Sequence, residues 1–322
     1  MTAAEQPPRR RAAASATVVQ VARPCREHVR IECAMRDFAE PLPGQFAQLL
    51  CADPDSAAPR ELTWSDDEPP LLTRDDWREC SAYLRRPFSI ADAWRDREGL
   101  THLVFISRAV GVGTGWLDRL RPGDTLNLTG PLGRGFDLPA QPRPLLLVGG
   151  GVGIPPLLLL SRRLAQMAWR DVVVIFGATS ADLLPVPLLA EPDPRGTATR
   201  CIELPGDAAF PAIVTTDDGT LGLRGRVTDA LRAWVETAGE AAGGAVVMAC
   251  GPEGMLAALA RQTRDLGLAC QLCIERQMGC GLGTCLSCVV RVRDASRPAG
   301  WRWALSCTEG PVFERDALYD YS

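Results

Sequence analysis

The chain has 322 residues, a length that suggests about two domains, each able to bury its own core. Hydrophobic residues make up 46% and charged residues 23%, which excludes wholesale disorder. All 35 basic residues are arginine, yet the formal net charge is −4, which argues against a nucleic-acid binder with a broad basic face. Only two histidines are present, which disfavours His-ligated metal centres and His-based catalysis.

The N-terminal segment superficially resembles a signal peptide, because three arginines at residues 9–11 precede an alanine-rich stretch. That stretch contains Ser, Thr and Gln and lacks a strong apolar core, so residues 1–16 are predicted to be a disordered extension. Residues 144–161 are uncharged over a membrane-spanning length, but central glycines and prolines would break a helix there. We therefore expect a cytoplasmic protein with no membrane partner, whose cysteines are ligands or free thiols.

The next part of the chain, residues 17–140, has the signals of short strands. Apolar residues alternate with polar ones at Val29, Ile31, Cys33 and Met35. Further strands are predicted at residues 46–50, 103–107 and 125–128. Short strands separated by Pro-Gly turns predict a small antiparallel β-barrel. Residues 51–84, with nine acidic residues and four prolines, are predicted to be a surface insertion.

Residues 141–267 alternate between strand and helix signals, which predicts a parallel α/β sheet with right-handed crossovers. Strands are predicted at residues 145–148, 172–176 and 245–249, and helices at residues 155–167, 227–235 and 252–266. The remaining residues, 268–322, are rich in cysteine and glycine and too few for a separate large core. This tail is therefore predicted to be organised around something other than apolar packing.

The strongest chemical signal in the tail is a set of four cysteines. Cys280, Cys285 and Cys288 have the spacing of a plant-type 2Fe-2S ferredoxin, and Cys307 follows across a predicted hairpin. Interleaved glycines permit a loop whose amides point at sulfur. Buried free cysteines are the alternative, and a zinc site would favour two Cys-x-x-Cys pairs. Cys270 and Cys273 form such a pair on a predicted strand, where packing is favoured over ligation.

Two motifs in the barrel part point to a phosphate-bearing flavin. Within residues 86–90, Arg86 can pair with a pyrophosphate while the backbone that follows lies along an isoalloxazine ring. The turn at residues 111–114 opens a helix, so its amides and the Thr114 hydroxyl are candidate phosphate contacts. A plain connection is the alternative interpretation of that turn.

Two motifs in the α/β part point to a nucleotide. Gly149, Gly150, Gly151 and Gly153 join a hydrophobic strand to a helix, although not as a strict GxGxxG. Cys250, Gly251 and Pro252 follow a later strand, where ligands of open α/β sheets bind. Cys250 is therefore a candidate to face a nicotinamide, the alternative being a small buried thiol that ends a strand.

The order of these motifs resembles the ferredoxin-reductase superfamily and, within it, the electron-transfer subunits of class B dihydroorotate dehydrogenases. The resemblance covers roughly residues 17–313, without the insertion. It implies an antiparallel β-barrel FAD domain at residues 17–140, a Rossmann-like NAD domain at residues 141–267 and a 2Fe-2S subdomain at residues 268–322. Departures from the family are the acidic insertion, which would affect partner docking, and Arg134, where a small polar residue is expected.

By position, the resemblance assigns flavin contacts to residues that match the family motifs: Arg86, Pro87, Phe88, Ser89, Ile106, Ser107, Arg108, Gly113 and Thr114. It assigns the cluster to Cys280, Cys285, Cys288 and Cys307. It also implies a partner, an FMN-containing catalytic subunit that oxidises dihydroorotate in pyrimidine (UMP) biosynthesis, in a heterotetramer with two of each subunit. Electrons would cross from that partner through the 2Fe-2S cluster and FAD to NAD.

Residues 177–182 contain no arginine for a 2′-phosphate, and Asp182 can accept from a ribose hydroxyl, so NAD is expected over NADP. Two alternatives to this assignment remain open. One is a related NAD(P)H-linked flavin and iron–sulfur subunit of a transhydrogenase or hydrogenase complex. The other is an iron–sulfur redox sensor.

Overall fold

The computed structural model describes residues 12–52 and 84–321. Two seven-stranded sheets and a two-stranded hairpin carry the fold of this part of the chain. Residues 1–11, and residues 53–83 of the expected insertion, lie outside the described ranges. Within those ranges no helix has the length and apolar character needed to cross a membrane.

The first sheet is antiparallel and curls into a half-barrel, as the strand signals predicted. Its strands are β1 (Ala12–Ala22), β2 (His28–Met35), β3 (Phe46–Leu49), β4 (Arg86–Ser89), β5 (Asp92–Arg95), β6 (Thr101–Arg108) and β7 (Thr125–Leu132). They lie in the order β4-β3-β7-β1-β2-β6-β5, and the short helix α1 (Val112–Leu117) follows β6. Alternate residues of β2, such as Val29 and Ile31, are fully buried, which is the period that the sequence showed.

The start of β1 corrects the expected N-terminal extension. Residues 12–16, predicted to be disordered, pair in register with β7, from Ala12 opposite Gly130 to Ala16 opposite Leu126. Strand pairing there depends on the distant β7 and not on local apolar content. Small residues suffice because only alternate positions, such as Ala16 and Val18, face the core.

The second sheet has the order β11-β10-β9-β8-β12-β13-β16 and is parallel except for its last strand. Its strands are β8 (Leu145–Gly150), β9 (Val172–Ala178), β10 (Ala212–Thr216), β11 (Leu223–Arg224), β12 (Val246–Cys250), β13 (Ala269–Cys273) and β16 (Val312–Glu314). Its helices are α2 (Ile154–Gln166), α3 (Val227–Ala238) and α4 (Glu253–Asp265). The predicted parallel α/β alternation is confirmed.

Each face of this sheet is covered, which explains the continuous apolar runs of its strands. Leu145 and Leu147 of β8 face a core shared with α2, while Leu146 and Val148 face a core shared with α3 and α4. The sheet also continues past the boundary expected at residue 267, since β13 and β16 are two of its strands. The C-terminal tail is thus joined to the α/β domain by backbone pairing, a long-range feature that local patterns do not contain.

The strands β14 (Val289–Arg293) and β15 (Trp301–Leu305) form an antiparallel hairpin. Cys288 directly precedes β14 and Cys307 follows β15, so the hairpin holds these two cysteines near its open end. Short 3-10 helices complete the described chain at Gly151–Gly153, Ala181–Leu183, Pro205–Asp207, Gly239–Gly244, Arg315–Ala317 and Tyr319–Tyr321. The half-barrel and the α/β sheet share a core, because Val104 and Ile106 of β6 pack with residues of α2. The two sheets are therefore packed directly against each other through β6 and α2.

Candidate functional site

The cysteine-rich loop is built around hydrogen bonds from backbone amides to sulfur. The Sγ atom of Cys280 accepts from the amides of Leu282 at 3.3 Å and Cys285 at 3.4 Å, and the Sγ atom of Cys285 accepts from the amide of Cys280 at 3.4 Å. Gly281 and Gly283 have φ values of +71° and +92°, which non-glycine residues rarely adopt. The loop is thus shaped to hold thiolates.

Ser287 closes this loop and was not identified from the sequence. Its Oγ atom accepts from the amide of Gly279 at 3.0 Å and lies 3.1 Å from the Sγ atom of Cys285. This hydroxyl, together with nearby amides, lowers the pKa of Cys285 to about 6. Cys285 is therefore a thiolate at neutral pH, which is the form that binds iron.

Cys288 and Cys307 lie below the loop, at the base of the β14–β15 hairpin, and both are buried. The amide of Ser306 donates to the carbonyl of Cys288 at 2.9 Å, which brings the two cysteines together. Burial and the neighbouring Cys288 thiol raise the pKa of Cys307 to about 12. The Cys307 thiol, held this close to a second sulfur in an apolar site, is therefore poorly suited to ionise without a metal ion.

Within the described residues no three Cys, His or carboxylate side chains converge as ligands of one metal ion. The four cysteines instead form two contacting pairs, Cys280 with Cys285 and Cys288 with Cys307. A two-iron cluster requires four thiolates in total, hence two for each iron. The paired arrangement and the amide donors fit a 2Fe-2S cluster better than a single zinc ion.

The half-barrel packs directly against the cluster loop. Phe46 of β3 forms a small apolar core with Leu132, Cys288 and Cys307. Ser89 of the predicted flavin strand β4 lies opposite Phe46, and cross-strand partners share one face of a sheet. The candidate flavin and cluster sites are therefore one strand apart.

The predicted flavin residues lie on β4, on β6 and in the turn after β6. Arg86 is exposed, with a long bond to the carbonyl of Leu84 at 3.3 Å, while Phe88 packs on the barrel core. Ser107 is buried, and its Oγ atom has no hydrogen-bond partner among residues 12–52 and 84–321. That orphan hydroxyl is consistent with a polar ligand atom at this position.

Two of these predicted contacts are engaged within the protein. The guanidinium of Arg108 donates from Nε to Glu27 at 2.9 Å. The Oγ atom of Thr114 accepts from the amides of Val110 and Gly111, both at 2.9 Å, and thus closes the turn. First-turn amides such as that of Gly113, and not the Thr114 hydroxyl, are left for a phosphate.

The glycine-rich segment brings the ends of β8 and β12 together. Gly149 lies opposite Cys250 in the parallel ladder, and a Cβ atom on Gly153 would lie 2.2 Å from the carbonyl oxygen of Cys250. Gly150 and Gly251 both pack on Met255, where a Cβ atom would come within 2.6 Å and 2.2 Å of its side chain. The two nucleotide motifs therefore form one edge, with Gly151 and Pro252 in the adjoining turns.

Cys250 is 8% exposed at this edge, and it lies opposite Cys273 of the neighbouring strand β13. The neighbouring Cys273 thiol and burial hold the pKa of Cys250 well above its ordinary value. Cys250 is a neutral thiol at physiological pH, so it can contact a nicotinamide but not act as a base there.

Asp182 is held by two hydrogen bonds, although its side chain is 56% exposed. One oxygen accepts from the Nε atom of Arg26 at 2.6 Å, and the other accepts from the hydroxyl of Ser180 at 2.5 Å. These bonds lower the pKa of Asp182 and tie the 3-10 helix after β9 to the β1–β2 turn. The carboxylate thus links the half-barrel to the α/β sheet, and its contact with a ribose hydroxyl stays a prediction.

Comparisons with known proteins agree with this geometry. The family model for the iron–sulfur cluster binding domain of dihydroorotate dehydrogenase B matches residues 275–319. An electron transfer subunit of dihydroorotate dehydrogenase B (NAD(+)) from Geobacillus thermodenitrificans is 36% identical over 71% of this chain and 78% of its own length. The same subunit from Desulforamulus reducens is 33% identical over the same shares.

Among solved structures, an NADH-dependent reduced ferredoxin-NADP oxidoreductase covers 95% of this chain and 90% of its own, with a TM-score of 0.67 and 23% identity. Half-barrel, parallel sheet and the matched iron–sulfur domain define a ferredoxin-reductase-like fold with a C-terminal iron–sulfur domain. Within that class, the identity and coverage place the chain in one family. It belongs to the electron transfer subunits of dihydroorotate dehydrogenase B.

Proposed function

We propose that this chain takes electrons from an FMN-containing dihydroorotate dehydrogenase subunit through a 2Fe-2S cluster and FAD and delivers them to NAD. The observation that carries the proposal is the packing of β3, where Phe46 lies in one buried apolar cluster with Leu132, Cys288 and Cys307 while its cross-strand partner Ser89 belongs to the flavin motif. Such proximity suits electron transfer between a cluster and a flavin. A flavin links a one-electron carrier to the two-electron nicotinamide.

In this proposal Cys280 and Cys285 hold one iron, and Cys288 and Cys307 hold the other. The support is their pairing and the low pKa of Cys285, which makes that thiol ready to bind metal. The amides of Leu282 and Cys285 donate to the sulfur of Cys280, and such bonds tune a cluster's potential.

The flavin is assigned to the strand face of residues 86–89 and to residues 106–108. Arg86 extends into solvent with its charge available for a pyrophosphate, and the orphan hydroxyl of Ser107 is available for a polar flavin atom. The amides of residues 112 and 113, at the start of α1, are donors for a phosphate oxygen.

The nicotinamide nucleotide is assigned to the edge where β8 and β12 end. Glycines at positions 149, 150, 151, 153 and 251 leave room for a backbone approach to phosphate, and Cys250 is the neutral thiol nearest this edge. NAD is favoured because the segment after β9 has no arginine between residues 177 and 182.

The partner performs the chemistry on dihydroorotate in this proposal, since the residues assigned here hold cofactors and supply no acid or base for that substrate. The relatives are named as electron transfer subunits, which implies a catalytic partner. We propose a cytoplasmic complex of two chains of each kind.

Replacement of one ligand tests the cluster assignment. Cys285→Ala removes a thiolate ligand, so anaerobically purified protein should lose the 2Fe-2S absorption and the reduced-cluster EPR signal while keeping FAD. Cys270→Ala is the matched control, because Cys270 is a buried thiol on β13 that faces the core of the α/β sheet. A normal cluster signal in the Cys285→Ala protein would contradict the assignment.

A further inference from the structure

A buried glutamine lies between the flavin strand and the cluster loop. Gln48 of β3 is 1% exposed, and the strand register sets it opposite Pro87 of β4. Its side chain packs on Gly281, so closely that a Cβ atom there would lie 2.6 Å from the Nε2 atom of Gln48. Gln48 therefore adjoins both predicted cofactor sites, although no sequence motif includes it.

The carboxamide of Gln48 has unused hydrogen-bonding capacity. Neither Nε2 nor Oε1 has a partner among the residues that the structure describes, and both atoms are inaccessible to solvent. Buried polar groups in native proteins are normally bonded, so a ligand atom is the natural partner. Gln45 shows the contrast, because it donates to the carbonyl of Gly133 at 2.7 Å and accepts from the amide of Leu42 at 2.8 Å.

The neighbours of Gln48 point to the cluster as that ligand. Gly281 directly follows Cys280, and its missing side chain is what allows the carboxamide to approach the loop. Cluster sulfides and thiolates accept hydrogen bonds, and the Nε2 amide is a donor. Phe46, two residues before Gln48 and on the same face of β3, lies in one buried apolar cluster with Cys288 and Cys307. This face of β3 is therefore turned to the cluster side of the loop.

We propose that Gln48 donates a hydrogen bond to a sulfur atom of the 2Fe-2S cluster and so raises the cluster's reduction potential. The inference rests on the proposed function, in which the loop holds such a cluster. Hydrogen bonds to the sulfurs stabilise the reduced, more negative cluster and are one determinant of its potential. Through Gln48 the half-barrel that binds the flavin also tunes the flavin's redox neighbour.

The test compares the cluster potentials of three holoproteins in EPR-monitored redox titrations. Gln48→Met keeps the length of the side chain and removes the donor, so the cluster midpoint potential should become more negative while FAD content and the FAD potential stay unchanged. Gln45→Met is the matched control, since it loses two side-chain bonds away from the loop. It should have a lower melting temperature and an unchanged cluster potential.

A second measurement does not depend on the variant folding. In wild-type holoprotein with ¹⁵N in the glutamine side-chain amide, pulsed EPR of the reduced cluster should detect a nitrogen coupling. No coupling in the wild type, an unmoved cluster potential in Gln48→Met, or a shift confined to FAD would each overturn the role of Gln48. Absence of any 2Fe-2S signal from the wild type would instead contradict the proposed function.

Discussion

Glycine at position 153 illustrates how single residues set the nucleotide edge. Its Cα atom lies so near the end of β12 that an added Cβ atom would be 2.2 Å from the carbonyl oxygen of Cys250. The neighbour is backbone in the centre of a sheet, which cannot move aside as a flexible side chain would. Glycine is therefore required here by contact and not by φ.

Substitution of this glycine should weaken the domain. Gly153→Ala forces the turn before α2 away from the end of β12, and overpacking of this kind costs about 1–3 kcal/mol of unfolding free energy. Gly254→Ala is the control, because that glycine lies in the first turn of α4 with nothing within 4 Å of its added Cβ atom. Chemical denaturation of both holoproteins measures the difference, and equal stability of the two variants would refute the steric argument.

Two adjacent arginines of α2 show how an element is attached to its neighbour. Arg162 forms a two-pronged ion pair with Asp92 of β5, with Nη2 donating at 2.8 Å, and stacks over Trp94 at 5.4 Å. Arg163 pairs with Glu40 at 3.0 Å, but both side chains are well exposed. The first pair is mostly buried at the junction of half-barrel and α/β sheet, where solvent screening is weak.

These pairs should therefore differ in their contribution to stability. Arg162→Ala leaves the Asp92 carboxylate buried without its partner, which should lower the free energy of unfolding by about 2–4 kcal/mol. Arg163→Ala removes an exposed pair and should cost less than about 1 kcal/mol. Urea unfolding of the two variants side by side provides the measurement. A cost for Arg163→Ala as large as that for Arg162→Ala would show that burial is not the deciding factor.

The elements themselves were predictable where the signal is local. Alternation identified β2, apolar runs identified β8 and β9, and spacing singled out the loop cysteines. Pairing between distant segments was not predictable, so residues 12–16 were placed in the extension and β16 was separated from the α/β sheet. Gln48 and Ser287 were missed for the same reason, because neither has a role until the fold brings its neighbours close.

At the scale of the whole molecule, the two kinds of chemistry are carried by different elements. The cluster loop packs on β3 through Phe46 and Gly281, whereas the edge formed by Gly149 and Cys250 belongs to the α/β sheet. We therefore expect a linear order in which nicotinamide and cluster communicate through FAD. Loss of the cluster should therefore leave electron transfer between the nicotinamide and FAD intact.

The most direct measurement is a paired assay of the Cys280→Ala protein, assembled with its catalytic partner. Loss of the cluster should abolish dihydroorotate-driven NAD reduction, while reduction of a soluble dye by NADH, which needs only the nicotinamide and FAD sites, continues at the wild-type rate. FAD content measured on the same sample shows that the flavin site is intact. If this variant kept its FAD but lost dye reduction as completely as the coupled activity, the linear order would be wrong.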